Sequence, residues 1–156
     1  MLSLVHSFLL SDASGWTSKP FHPILVNFTA ALLPASFLFD QLAAMSKRES
    51  LRAAAWYTLL LAAIVTPLTA AAGWLWLKSM GDMAHWQMPI HKWLGTGAAV
   101  LVILYACWRG SLYRRGRAPG LLYALAALVL FGALLYQGEL GGSMSFERGI
   151  VLSSEH

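Results

Sequence analysis

The chain has 156 residues, 58% of them hydrophobic and only 12% charged, with a net charge of +4 at pH 7. Globular chains carry about 25% charged residues, and a chain this short has too much surface to cover with half that, so an ordinary soluble domain is excluded. Disorder is excluded by the apolar content, and the single cysteine, Cys107, excludes an internal disulfide framework and a Cys-based zinc site.

In chain order, residues 1–20 read as an interfacial segment, with a short helix over Leu2–Leu10 lying on the bilayer surface. A spanning helix needs about 20 mostly apolar residues. Four runs qualify: residues 23–45, 53–77, 91–108 and 119–137. Pro23 and Pro119 open the first and fourth, where the missing amide costs nothing. Pro34 and Pro67 fall inside the first and second, where kinks are expected. Gly138 suits a helix C′ position and Gly141–Gly142 a turn, which makes residues 139–156 a C-terminal tail. The fold expected is an all-α integral membrane protein, an up-down four-helix transmembrane bundle over residues 21–138 with no internal repeat.

Charge sets the orientation. The loops after runs one and three carry Lys47, Arg48, Arg52, Arg109, Arg114, Arg115 and Arg117, seven of the eleven Lys and Arg residues. By the positive-inside rule these loops are cytoplasmic and both termini lie outside. The other side holds five of the seven acids, Asp12, Asp82, Glu139, Glu147 and Glu155. Trp74, Trp76, Trp86 and Trp93 fall near the outer interface; Trp56, Tyr105, Trp108, Tyr113 and Tyr123 fall near the inner one. The net positive charge thus records orientation and contact with anionic lipid, and no nucleic acid is implied.

All five histidines, His6, His22, His85, His91 and His156, fall on the outer side. His22 opens the first helix and His91 the third. In an up-down bundle these two helices lie on a diagonal roughly 13–14 Å across. Imidazoles reaching inward from that diagonal could ligate one haem iron, as bundle-core cofactors are held from facing helices. The bland alternative is that both histidines cap helices in the headgroup zone. Four of the six methionines lie in the second outer loop and the tail: Met80, Met83 and Met88 are interleaved with His85 and His91, and Met144 lies in the tail. Thioether and imidazole suit Cu(I), although methionine also serves as plain apolar filler.

Asp40 is the one carboxylate inside a span. Charges there are costly and need a partner. Arg48, Arg52 and Arg109 are within reach near the cytoplasmic end, and an Asp40–Arg52 pair locking two helices is expected. Thr29, Thr66, Thr69 and Thr96 suit interhelical hydrogen bonds, and Thr69-xxx-Gly73 suits close helix packing. Cys107 reads as a packed thiol. No HExxH, GxSxG, Walker or dinucleotide-binding pattern occurs, so a non-enzymatic role is expected.

The stretch Phe21-His22-Pro23-Ile24-Leu25-Val26-Asn27-Phe28, closed by Phe39-Asp40, resembles the opening of the bacterial transmembrane family called domain of unknown function 2231. That family opens with His-Pro-x-x-Val-His-Phe-Pro and an apolar helix ending in Phe-Asp. The resemblance continues at Thr66-Pro67, Ala72-Gly73 and His91 with Trp93-Leu94-Gly95. It ends in Gly138-Glu139-Leu140-Gly141-Gly142 and Phe146-Glu147-Arg148-Gly149, and covers residues 20 to about 152. The family's second opening histidine is Asn27 here, and its closing histidine is Arg148. The resemblance implies a multi-pass protein of the bacterial inner membrane that accompanies redox or cytochrome proteins. Asn27, Glu139, Glu147 and Arg148 would then join the outer site. The expected role is a subunit binding haem b at His22 and His91, or supporting an electron-transfer partner. Copper handling at Met80, Met83, His85, Met88 and His91 is one alternative, and a purely structural assembly subunit without cofactor is another; a homo-oligomer is a candidate assembly.

Overall fold

A computed structural model describes residues 21–79 and 86–154, with side chains described for residues 21–77 and 86–144. Four helices make up this region: α1 (Phe21–Ser46), α2 (Glu49–Ser79), α3 (Gln87–Arg114) and α4 (Leu121–Ser154). Each is long and apolar enough to cross a membrane. No more than 28% of the most apolar stretch of any helix is buried inside the protein. In water that would leave an apolar face far larger than monomers tolerate; in a bilayer it is the lipid-facing surface. Ile64, Leu75, Val100, Leu104, Leu122 and Val129 are among the large side chains on it.

Each helix packs on its neighbour in sequence and α4 closes on α1, so α1 and α3 face one another across the interior. The inward positions repeat at intervals of four and three residues. On α1 they are Thr29, Leu33, Ser36, Asp40 and Ala43; on α2, Ala55, Leu59, Ala62, Thr66 and Thr69. On α3, Ala98, Val102, Tyr105 and Arg109 follow the same rhythm, as do Tyr123, Ala127 and Leu130 on α4. That 3.5-residue period keeps one seam facing the partner helix. Small residues on the seam let backbones approach, which drives helix association where lipid is as apolar as the core. Hydroxyls fasten it: Ser36 Oγ donates to the Ala55 carbonyl at 2.9 Å. Thr69 Oγ1 donates to the Val65 carbonyl at 2.9 Å and so accepts from Thr29 Oγ1 at 3.2 Å.

Pro34 and Pro67 lie inside α1 and α2, as expected. Several other expectations change. The fourth helix does not stop at Gly138, nor turn at Gly141–Gly142; it runs on to Ser154. Glycine weakens a helix without forbidding it, and here Leu140 and Met144, 4% and 7% exposed, bury the extra turns. The glycine that does end a helix is Gly116, at φ 63°. Arg117 N–H donates to the Leu112 carbonyl at 2.9 Å and Gly116 N–H to that of Tyr113 at 3.1 Å, a Schellman closure of α3. Cys107 is not packed but exposed on α3. Tyr105 and Tyr123 sit in the core, 7% and 1% exposed, rather than in an interfacial girdle. The expected helix over Leu2–Leu10 lies outside the described residues.

Glycine at 110 is required by space. A Cβ there would sit 2.8 Å from Trp56 Cη2, and that ring is held by stacking on Tyr113 at 5.7 Å. Gly110→Ala is expected to destabilise the protein by about 1–3 kcal/mol through overpacking. Gly97→Ala, where a Cβ meets nothing within 4 Å, should be neutral or gain up to about 1 kcal/mol from helix propensity. Chemical unfolding of both variants in detergent micelles checks the contrast.

Candidate functional site

Two polar centres occupy opposite ends of the bundle. At one end Asp40 is paired with Arg109, not with Arg52. Arg109 Nε donates to both carboxylate oxygens at 3.2 and 3.1 Å, and Nη2 donates to Oδ1 at 2.8 Å. The two side chains are 0% and 2% exposed. Arg52 instead reaches Glu49 one turn back on its own helix, at 2.9 Å. The reason is register: Arg109 falls on the inward seam of α3 directly across from Asp40, whereas Arg52 is only partly buried on the first turn of α2. Tyr105 and Tyr123 stack at 4.3 Å beside the pair, and the Tyr105 hydroxyl donates to the Tyr123 carbonyl at 3.3 Å. This centre is compact and closed, the form of a structural lock.

At the other end a cavity of about 420 Å³ gathers the start of α1, the end of α2, the start of α3 and residues 134–144 of α4. Its walls are mostly apolar, with a few converging polar groups, the composition of a small-molecule site. His22 and His91 both line it. Their ring centroids lie 6.2 Å apart and the rings are nearly perpendicular, at 83°.

His22 is oriented by the backbone. Its Nδ1 lies 2.8 Å from the Thr69 carbonyl, which can only accept, so Nδ1 carries the proton and Nε2 is left with its lone pair. An imidazole anchored this way through one nitrogen is held as metal-ligating histidines are. His91 stands across from it, with Nδ1 buried and without a hydrogen-bond partner among the described residues. Gln137 of α4 donates to the His91 carbonyl at 2.9 Å, while its own Oε1 is likewise buried and unpartnered among those residues.

Three glycines make the room. A Cβ at Gly73 would lie 3.0 Å from His22 Cε1 and Nδ1, one at Gly141 would lie 3.1 Å from His91 Cε1, and one at Gly95 would lie 2.7 Å from Gln137 Nε2. The two imidazoles and the amide are thus each seated against bare backbone of a facing helix. Gly73→Ala must push the His22 ring, and the ring cannot yield without losing the Thr69 carbonyl. A loss of about 1–3 kcal/mol is expected. Thermal denaturation in detergent, compared with Gly132→Ala, where a Cβ meets nothing within 4 Å, reads the difference.

The aromatic wall is fixed independently. Trp74 Nε1 donates to Thr96 Oγ1 at 3.0 Å, and Thr96 in turn donates to the Lys92 carbonyl at 2.8 Å. The Lys92 ammonium sits 4.5 Å from the Trp74 ring centre, a cation–π contact. Trp76 lies 6.0 Å from the His22 ring.

Of the residues expected in an outer site, His22, His91, Asn27 and Met88 line this cavity. Glu139 is exposed on α4 and is not among its lining residues. Glu147 and Arg148 lie on α4 beyond the described side chains, and Met80, Met83 and His85 lie outside the described residues. Sequence reasoning missed Gln137, Gly73 and Gly141, and left Met144 in a tail. The available signal was glycine inside continuous apolar runs, which marks close approach of another group.

The sequence profile of a family described as "Predicted membrane protein (DUF2231)" matches residues 18–154. No curated protein and no solved structure matches the chain.

Proposed function

The chain belongs to the DUF2231 family of predicted membrane proteins, and from that premise we propose that it is a non-enzymatic subunit whose histidine-end cavity holds haem b. The histidine end is taken as the periplasmic face of a bacterial inner membrane, with both termini outside and the helices alternating in direction. The arginine-rich loops between α1 and α2 and between α3 and α4 support that orientation.

One observation carries the cofactor reading: two imidazoles enter one apolar cavity from facing helices, 6.2 Å apart between ring centres. Metal–imidazole bonds are about 2 Å long, so two rings ligating one ion through nitrogen place their centres about 6 Å apart. His22 would present Nε2, and Gly73 and Gly141 leave space for both rings. Haem b held by His22 and His91 would supply one-electron redox chemistry, tuned by the two imidazoles and the apolar walls. A redox or cytochrome partner would dock at the same face. The test is the absorption spectrum of the purified protein with and without added haem. A Soret band is expected; its absence after supplementation sinks the haem reading.

A second reading, copper, draws on Met88 and Met144, whose thioethers line the same cavity as the two histidines. Among the described residues no group of three His, Cys, Asp or Glu could hold a metal, so an ion here would depend on those thioethers. Elemental analysis after Cu(I) loading decides: a stoichiometry unchanged by Met88→Leu with Met144→Leu removes copper.

A further inference from the structure

The cavity is walled unevenly. Side chains seated on glycine backbone close two sides, His22 on Gly73 between α1 and α2, and Gln137 and His91 on Gly95 and Gly141 between α3 and α4; the Trp74–Thr96 hydrogen bond spans a third, between α2 and α3. The fourth side, between α1 and α4, is the loosest seam of the bundle. There Asn27 and Ala30 of α1 and Gly138 and Gly142 of α4 line the cavity and are at the same time exposed on the outside of the bundle. A Cβ at Gly138 or Gly142 would meet nothing within 4 Å. Glycine at these two positions is therefore not filled by a neighbour, as it is at the other three. It leaves a gap in the wall.

That gap lies along spanning helices. Asn27 and Ala30 lie five and eight residues into α1 from His22. At 1.5 Å per residue this carries the opening roughly 12 Å along the helix axis, past the helix end. A mouth there faces lipid. Among the described residues Lys92 is the one charged side chain that lines the cavity, and no carboxylate does.

We infer that the cavity takes its ligand sideways from the bilayer, through the α1–α4 seam, as an amphiphile with an apolar body and an anionic head. The apolar body enters past Gly138 and Gly142, and the head comes to rest near Lys92 and the imidazoles. This rests on the reading of the cavity as a ligand site; it does not require haem to be the ligand, although haem, with an apolar macrocycle and carboxylate side chains, is of this class.

The experiment compares the full chain with a Gly138→Leu/Gly142→Leu variant in liposomes. A Cβ at either position meets nothing within 4 Å, so the fold is expected to persist, and circular dichroism of the variant checks it. Haemin is first dissolved in the lipid. Uptake by the variant, followed at the Soret band, is expected to slow at least about tenfold with the final spectrum unchanged. Uptake at the unmodified rate, or a lower final occupancy, overturns the portal while leaving haem binding in place. If the unmodified protein shows no Soret band, haem fails as occupant, and a nitroxide-labelled fatty acid becomes the probe. An immobilised spectral component is expected with the unmodified protein, reduced in the seam variant and absent with the methyl ester of the same probe. No immobilised component, or one equal in both proteins, overturns the portal.

Discussion

Arg109→Met is expected to cost about 3–5 kcal/mol, because it leaves the Asp40 carboxylate buried with no counter-charge. Asp40 is 3% exposed and Arg109 0%, so water cannot make up the loss. Asp40→Leu should be costly for the converse reason, stranding the guanidinium. The double variant Asp40→Leu/Arg109→Met removes both charges and is expected to recover most of the loss, since an apolar pair of similar volume is often as stable as the buried ion pair it replaces. Reversible unfolding of the four proteins in mixed micelles gives the coupling energy of the cycle. Additive losses would show that the pair does not act as a unit. Arg52→Met tests the other assignment: its partner Glu49 is exposed at 76% of its side chain, so a loss within about 1 kcal/mol is expected.

The second large effect is at the imidazoles. On the haem reading, His22→Ala or His91→Ala removes one axial ligand and is expected to convert the iron from six- to five-coordinate, with retention falling at least about tenfold. The double variant should retain none. Absorption spectra of the reduced and oxidised proteins read both the loss and the change of spin state. Trp93→Ala, at a position 62% exposed, serves as the control for folding. Spectra unchanged by either histidine substitution would place the haem elsewhere and end the paired-ligand reading.

The bundle was largely legible from composition. Four spans nearly free of charge, separated by short loops, leave few other folds for a chain in lipid. What the sequence did not reveal was which face of each helix turns inward. The usual guide is an apolar stripe, and here it fails: most of the large Leu, Val and Ile side chains face lipid, while Thr29, Ser36, Asp40, Thr66, Thr69 and Arg109 are buried. In a bilayer the polar and small residues mark the interior, so the 4-3 spacing of hydroxyls and alanines was the pattern to follow. Asp40 shows the consequence. Arg48, Arg52 and Arg109 all fall near the same end of the spans as Asp40, and only the inward register of α3 selects Arg109.

The histidine end divides the same way. Placing His22 and His91 at one end required only the span boundaries and the direction of each helix. Their convergence to 6.2 Å required the backbone of the facing helices. Gly73 and Gly141 are far from the histidines in sequence, and Gly141 read locally as a turn. Tertiary burial of Leu140 and Met144 kept α4 helical through it, and the missing Cβ then became the seat of an imidazole. Hydropathy acts residue by residue against a uniform solvent, so the sequence alone determined that the chain crosses a membrane four times and which polar residues gather at each end. Pairing depends on helix rotation and on where a side chain is missing, and both are set by packing between elements. Only the tertiary structure therefore decided that Arg109 neutralises Asp40, that two histidines share one cavity, and that the cavity wall is thinnest between α1 and α4.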